Sequence, residues 1–488
     1  MKNFKFSSLL LAPLFAVLAA CGGGGGGSNN TPTTPTTPTL KSIAVTVPVS
    51  TIPIGSSQQL TAVGTYSDGS FKTLTSTTGL VWTTKSGGTS VAQVFSNGKV
   101  TGMGVGTETI NATQENVVGT ISLTITSPWT AVATGGYQTI ARKADGNLYA
   151  WGQNIQGQLG DSSTANRNAP VQVNAGAGTT TWRMVAVGDQ FAVGIRTAAT
   201  SGTGTSTGGT LWAWGYNQNG QLGDGTQTNR SVPVQIGKDS DWTYVSAGKG
   251  HVLALKGATN TLYSWGRNDT GQMGDGTLIG KLVPTKIGTA SWLTVSAGAT
   301  HSIGLQKDGT LWTWGGNSDG QLGNATSGST AIQAPTKIGN LTFTSVSAGA
   351  AHSMAIGANG SLFAWGQGSF GQLGNNGVAN LTSPTQIGTD TNWSVVAAGA
   401  IHTMAVRTDG TLWGWGSNIE GQLGDGNGDE VSPVQIGTGA NWVTVSVGTG
   451  HSFGLKADNT LWGWGRNQEG QLGNGKNVLS PVPVNIPN

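Results

Sequence analysis

From residue 40 onward, apolar and polar residues alternate in short runs broken by Gly, Asn, Asp and Ser, the pattern of strands joined by tight turns. Between residues 40 and 127 the runs "SIAVTV", "QQLTAVGTY", "LVWTT", "AQVFSN", "KVTGMG" and "ETINAT" are rich in Val, Ile and Thr. Turns such as Ser67-Asp68-Gly69 separate them. Several short strands in about ninety residues predict a β-sandwich.

From Trp129 to the end the alternation is itself periodic. A Trp-Gly pair recurs at Trp151, Trp214, Trp265, Trp314, Trp365, Trp415 and Trp464, at steps of 63, 51, 49, 51, 50 and 49 residues. Each pair is followed by "GQLG", written "GQMG" once, at 271–274. The idealised unit reads "W-x-x-V-S-A-G-x-x-H-S-x-x-L", a "D-G-T-L-W-x-W-G" hairpin, "GQLG" and a closing "P-x-x-I-G" strand. This unit resembles the repeat of the regulator of chromosome condensation family. The resemblance implies an all-β fold, a seven-bladed β-propeller over residues 128–488. The order of strands in 40–127 resembles the bacterial immunoglobulin-like domain, group 2, with Trp82 as its core tryptophan.

Seventeen of the eighteen tryptophans sit at three repeat positions. Seven belong to Trp-Gly pairs. Six open a unit, with Phe343 in the seventh place, and four stand two places before a Trp-Gly tryptophan. A large ring buries roughly 150–250 Å², so rings recurring in every unit predict structural contacts between wedge-shaped blades. Catalysis needs a residue once; a wall needs it at every interval. Small residues in "SAG" suit strands crowded round an axis.

All five histidines, His251, His301, His352, His402 and His451, share one repeat position, where the first two units carry Gln138 and Phe191. No carboxylate or thiol keeps their register. They are therefore expected to be structural, bonding to backbone between blades, and no metal is assigned. Asp161, Asp224, Asp275 and Asp425, with Asn324, Asn375 and Asn474, follow the "GQLG" elements as turn residues. "DGNGDE" at 425–430 is the one denser acidic loop, and a calcium role there is a minor alternative.

The start of the chain reads differently. Lys2 and Lys5 precede the apolar run "LLLAPLFAVLAA", too short to span a bilayer that needs about twenty residues. "LAAC" at 18–21 resembles the bacterial lipoprotein lipobox, which implies a signal peptide over 1–20 and lipidation, palmitate included, at Cys21. Gly22 in the next position favours the outer membrane. Residues 21–39 form a Gly-rich then Thr-Pro tether, with 40–127 as the immunoglobulin-like domain beyond it.

Composition narrows the function. Charged residues are 9% of the chain, the net charge is +3, and two of those positives are Lys2 and Lys5. No basic stripe exists, so nucleic acid is not expected as a partner. No nucleophile with its base, no HExxH and no phosphate loop is present, so no enzyme and no cofactor is expected. Function then lies where units differ. Unit two is about twelve residues longer than the others, the excess falling in 196–209, so Arg196, Thr197, Ser201, Thr203, Thr205 and Thr207 are the candidate partner-binding loop. The residue after each Trp-Gly pair also varies.

The expectation is a lipid-anchored, non-enzymatic cell-surface protein, exported to the outer membrane. Its propeller binds an unknown extracellular or periplasmic protein, or less readily a glycan, and it meets the membrane only through its lipid. Inhibition of some enzyme is the alternative, since propellers similar to this family include a secreted β-lactamase inhibitor. The family namesake is a guanine-nucleotide exchange factor, but none of its exchange residues can be matched here. Ring closure stays open in the sequence; one arrangement pairs the last strand, "PVPVNI", beside the first unit.

Overall fold

A computed structural model describes residues 37–174, 176, 181–197 and 208–487. Among them there is no α-helix, only a single 3-10 turn at Ser76–Thr78. No described helix is long and apolar enough to cross a membrane.

The segment before Trp129 forms three small sheets. Leu40–Thr46, Thr61–Tyr66 and Phe71–Leu74 make one; Thr51–Pro53, Val117–Thr126, Gly106–Gln114 and Val81–Thr84 make another; Ser57–Gln59, Lys99–Gly102 and Ala92–Val94 make the third. Alternation places every second residue inward, as in Gly106–Gln114, where Glu108, Ile110, Ala112 and Gln114 are buried. One core joins the sheets: Leu40, Ile43 and Ala62 from the first, Trp82, Ile110, Leu123 and Ile125 from the second, Ala92 and Val100 from the third.

From Trp129 the chain builds seven antiparallel four-stranded blades, each from one contiguous repeat. Blade 1 is Trp129–Thr134, Gln138–Lys143, Leu148–Gly152 and Arg167–Gln172. Blade 2 is Trp182–Val187, Phe191–Thr197, Gly209–Gly215 and Arg230–Gln235. Blades 3 to 6 repeat the order, their second strands beginning at His251, His301, His352 and His402. Blade 7 is Trp442–Val447, His451–Lys456, Leu461–Gly465 and Ser480–Ile486. Asp-Gly hairpins join second to third strands, with Gly146, Gly309 and Gly410 at φ of 80°, 80° and 79°.

The last strand does not zip the circle shut. Ser480–Ile486 pairs with Leu461–Gly465 inside its own blade. Packing closes the ring: Phe453, Leu461, Leu472 and Ile486 of blade 7 share a core with Trp129 and Trp151 of blade 1. The other six junctions have the same form, one blade's aliphatic face against the next blade's aromatic pair. All seven Trp-Gly tryptophans are completely buried. Each such ring contributes roughly 4–6 kcal/mol of gross transfer free energy, an upper bound because the unfolded chain is itself partly collapsed.

Candidate functional site

The Trp-Gly rings are also polar links. Each indole Nε1–H donates to the main-chain carbonyl of the preceding blade's "GQLG" or "GQMG" glutamine: Trp214 to Gln158, Trp265 to Gln221, Trp314 to Gln272, Trp365 to Gln321, Trp415 to Gln372 and Trp464 to Gln422, at 2.9–3.0 Å. Trp151 to Gln471, at 2.9 Å, makes the seventh link across the chain ends.

The histidines do bridge blades, and all five do so through a side-chain hydroxyl where backbone was expected. His251 Nε2 lies 2.8 Å from Ser302 Oγ, and that hydroxyl donates to the Gln272 carbonyl at 2.7 Å. Because the serine proton goes to the carbonyl, the imidazole must carry its proton on Nε2. His301–Ser353, His352–Thr403, His402–Ser452 and His451–Thr139 repeat the contact at 2.9, 3.0, 2.9 and 3.1 Å. The rings are fully buried, and burial pushes four of them down to about 3 and His301 to about 4. They are neutral posts at neutral pH. A Cβ at Gly248 would run into the Gly298 carbonyl and the His251 ring, so only glycine fits there.

Where the histidine is missing, the hydroxyl one blade on is missing too. Gln138 is followed round the ring by Ala192, and Phe191 by Val252. Gln138 Nε2 donates instead to the Gly188 carbonyl at 3.1 Å. The sequence carried this pairing, shifted by one repeat, and reading units in isolation hides it.

Two further sets went unread in the sequence. At the opposite face, five blades hold a cation against an aromatic pair: Lys143 with Trp129 and Tyr149, Arg196 with Trp182 and Trp212, Lys256 with Trp242 and Tyr263, Arg407 with Trp393 and Trp413, Lys456 with Trp442 and Trp462. Blades 4 and 5 have Gln306 and Gly357 at that position. The other set is a buried asparagine three places after the Trp-Gly tryptophan. Asn154 Nδ2 donates to Asp161 Oδ1, while Asn154 Oδ1 accepts from the Leu159 amide. Asn217, Asn268, Asn317, Asn418 and Asn467 do the same in their loops. Burial alone would push the Asp161 and Asp224 carboxyls up. Hydrogen bonds from Ser163 and Arg167, and from Thr226 and Arg230, outweigh it and hold both below the usual range. Asp425, in the acidic loop, faces Asn418 at 2.7 Å.

The candidate loop of unit two is corrected in part. Arg196 is buried, 5% exposed, with its guanidinium 5.2 and 4.9 Å from the Trp182 and Trp212 rings. It is an internal residue and not a partner contact. Thr197 Oγ1 donates to the Thr181 carbonyl at 3.1 Å, and Thr197 pairs with Gly209, so the strands clamp the base of the excess. Ser201, Thr203, Thr205 and Thr207, like Cys21 and residues 1–20, where a signal peptide is expected, lie outside the described residues.

The turns between first and second strands converge on the ring axis and line a cavity of about 430 Å³. Six of the seven junctions there are laced by main-chain bonds, such as Lys249 N–H to Gly298 O at 3.2 Å and Thr449 N–H to Gly136 O at 3.3 Å. One repeat position, just after the turn glycine, faces the cavity: Gly136, Asp189, Lys249, Ala299, Ala350, Ala400 and Thr449. Blades 4 to 6 keep alanine there. The charges stand in blades 2 and 3, beside Tyr137 and Gln190. Burial pushes the Asp189 carboxyl up, and Lys249 pulls it part of the way back.

The variable residues after the Trp-Gly pairs lie on this same face. Arg466 meets Glu420 and Glu469 at 2.9 Å and stands 5.0 Å from the Tyr137 ring, tying blades 6, 7 and 1 together. Arg267 pairs with Asp269, and Ser417 is fully buried. These residues serve local structure more than an open surface.

Known proteins share this ring. The family model described as "RCC1-like domain" matches residues 203–488, and models of the "Regulator of chromosome condensation (RCC1) repeat" match 145–195 and 129–158. The chain is 30% identical over 249 residues to the ultraviolet-B receptor UVR8 of Arabidopsis thaliana, covering 50% of this chain and 54% of that one. It is 26% identical over 267 residues to the human E3 ubiquitin-protein ligase HERC2, covering 53% of this chain and 5% of that protein. The chain thus spans about half of the first relative and a small part of the second. Among solved structures, human WBSCR16 matches with a TM-score of 0.61 at 21% identity, over 70% of this chain and 94% of that one. Yeast RCC1 (Prp20) bound to Kap60 matches at 0.59 and 22%, over 68% and 81%. The two structures share the fold. With the RCC1-like domain model spanning more than half of its length, the chain belongs to the RCC1-like domain family.

Proposed function

We propose that this is a lipid-anchored, non-enzymatic outer-membrane protein whose propeller binds a protein partner outside the cell or in the periplasm. Cys21 carries the lipid, 21–39 forms the tether, and 40–127 acts as an immunoglobulin-like spacer. One observation supports the binding role above the others: departures from the repeat gather at the axial mouth of blades 1 to 3, where Asp189 and Lys249 replace the alanine of blades 4 to 6 and Tyr137 and Gln190 stand at the following position. In a ring built from copies, a cluster of exceptions is where selection for something other than closure is visible. Yeast RCC1 is recorded bound to Kap60, and a second structure of Prp20p concerns its binding to Gsp1p and histones. A protein partner is the corresponding reading for this chain.

Two measurements test it. Labelled palmitate should enter the wild type and not Cys21→Ser; label kept by the variant overturns the anchor. Amine-reactive crosslinking on intact cells should join a partner to Lys249, on the mouth face. Crosslinks confined to Lys307, in a hairpin of the opposite face, overturn the binding face.

A further inference from the structure

Asp189 is set apart from the carboxylates of the repeat's turns. Those after "GQLG" and "GQMG" are held by asparagine and by basic side chains, and those in the Asp-Gly hairpins by the following threonine or main chain. Among the described residues, the Asp189 carboxylate accepts no hydrogen bond, although its main-chain carbonyl accepts from the Gly136 amide at 3.2 Å, and Lys249 acts on the carboxylate only at a distance. It is half-buried in the wall of the axial cavity.

The chain makes room for it. A Cβ at Gly136 would run into Asp189 Oδ1, and Gly136 is the one glycine at a repeat position that elsewhere carries Asp, Lys, Ala or Thr. Its φ is not positive, so the requirement is steric: Asp189 Oδ1 and the Asp189 main-chain carbonyl together occupy the space of a Cβ. Most of the cavity wall is Gly, Ala and Val, suited to an aliphatic stem, and the polar residues Tyr137, Gln190 and Lys249 that share it make no hydrogen bond to the carboxylate.

We propose that the axial mouth binds an organic cation, a primary ammonium on an aliphatic stem such as a lysine side chain, with Asp189 as its counter-ion. The small-residue wall packs the methylenes, while the carboxylate gains the charged donor that the fold withholds from it. Lys249 at the rim disfavours a second positive charge, so the site selects a monocation. The inference rests on the mouth being the binding face. Its test uses purified full-length chain, so a failure here leaves the crosslinking result standing, and the reverse.

Calorimetric titration with n-butylammonium, with acetyl-Gly-Lys-Gly-amide and with n-butanol tests the site. Saturable binding of a cationic probe is expected, with none for the alcohol. Asp189→Asn, melting as the wild type does, should bind at least about tenfold more weakly. Lys249→Ala should bind more tightly, a gain that mere loss of structure would not give. Binding of the peptide alone would assign the cation to a protein chain, and equal binding of butylammonium to a free amine. Absence of saturable binding by both cations, or equal affinity in Asp189→Asn, overturns the proposal.

Discussion

His451 in the last blade stands 3.1 Å from Thr139 in the first, Nε2 to Oγ1, across a junction that no strand pairing spans. The same contact joins His251 to Ser302 at 2.8 Å between blades 3 and 4, where the chain is continuous. The seam is therefore made of the ring's ordinary parts.

Removing the hydroxyl at either place should cost a similar amount. Thr139→Val and Ser302→Ala each leave a buried imidazole N–H without its acceptor, at about 1–3 kcal/mol. Urea unfolding measures both. A seam variant several-fold more damaging than the internal one would mean that closure relies on this bond specifically.

The histidine ring makes stability depend on acid. Each folded imidazole stays neutral down to about 3, or about 4 for His301, against 6.5 in the unfolded chain. These pKa values are depressed, so the stabilising contribution is complete above 6.5 and is lost as pH falls towards the folded values. Each imidazole weakens folding about tenfold per pH unit in that window. Urea midpoints should be flat from about pH 8 to 7 and fall steeply below about pH 6. A profile unchanged down to about pH 4 refutes this.

Blade 4 lacks the cation that five others hold. Trp292 and Trp312 are already in place, with ring centroids 6.4 Å apart. Gln306→Arg should therefore stabilise by about 0.5–1 kcal/mol, and Arg407→Gln should destabilise by a similar amount. Thermal melts of the two variants should move in opposite directions; movement in the same direction counts against the role of the cation.

Deleting residues 481–488 strips Val484 and Ile486 from the core they share with Trp129 and Trp151. It also bares the edge of Leu461–Gly465. The melting temperature should fall by more than about 5 °C. An unchanged melting curve would show that the outer strand is dispensable.

The ring was legible because its largest contacts repeat. A tryptophan needed at seven interfaces is written seven times, and its spacing alone gives the blade count. The hydrogen-bond partners were harder to see, since a histidine in one unit answers to a hydroxyl in the next. The lysine or arginine behind five of the aromatic pairs looks like surface charge until the third dimension puts Arg196 against Trp182 and Trp212. Asp189 was invisible for the opposite reason. It occurs once, and its distinction is the absence of partners, which no motif spells.

Because each blade is a single uninterrupted stretch and the seam uses the common contacts, the place where the polypeptide begins and ends is indifferent to the circle. A circularly permuted gene opening at Trp242, with a short linker from Ile486 to Trp129, would encode every junction anew. By the same token, sectors can be duplicated or exchanged as modules most simply away from Lys281–Ala297 and Gly328–Ala348, each of which runs unbroken from one blade's outer strand into the next blade's first.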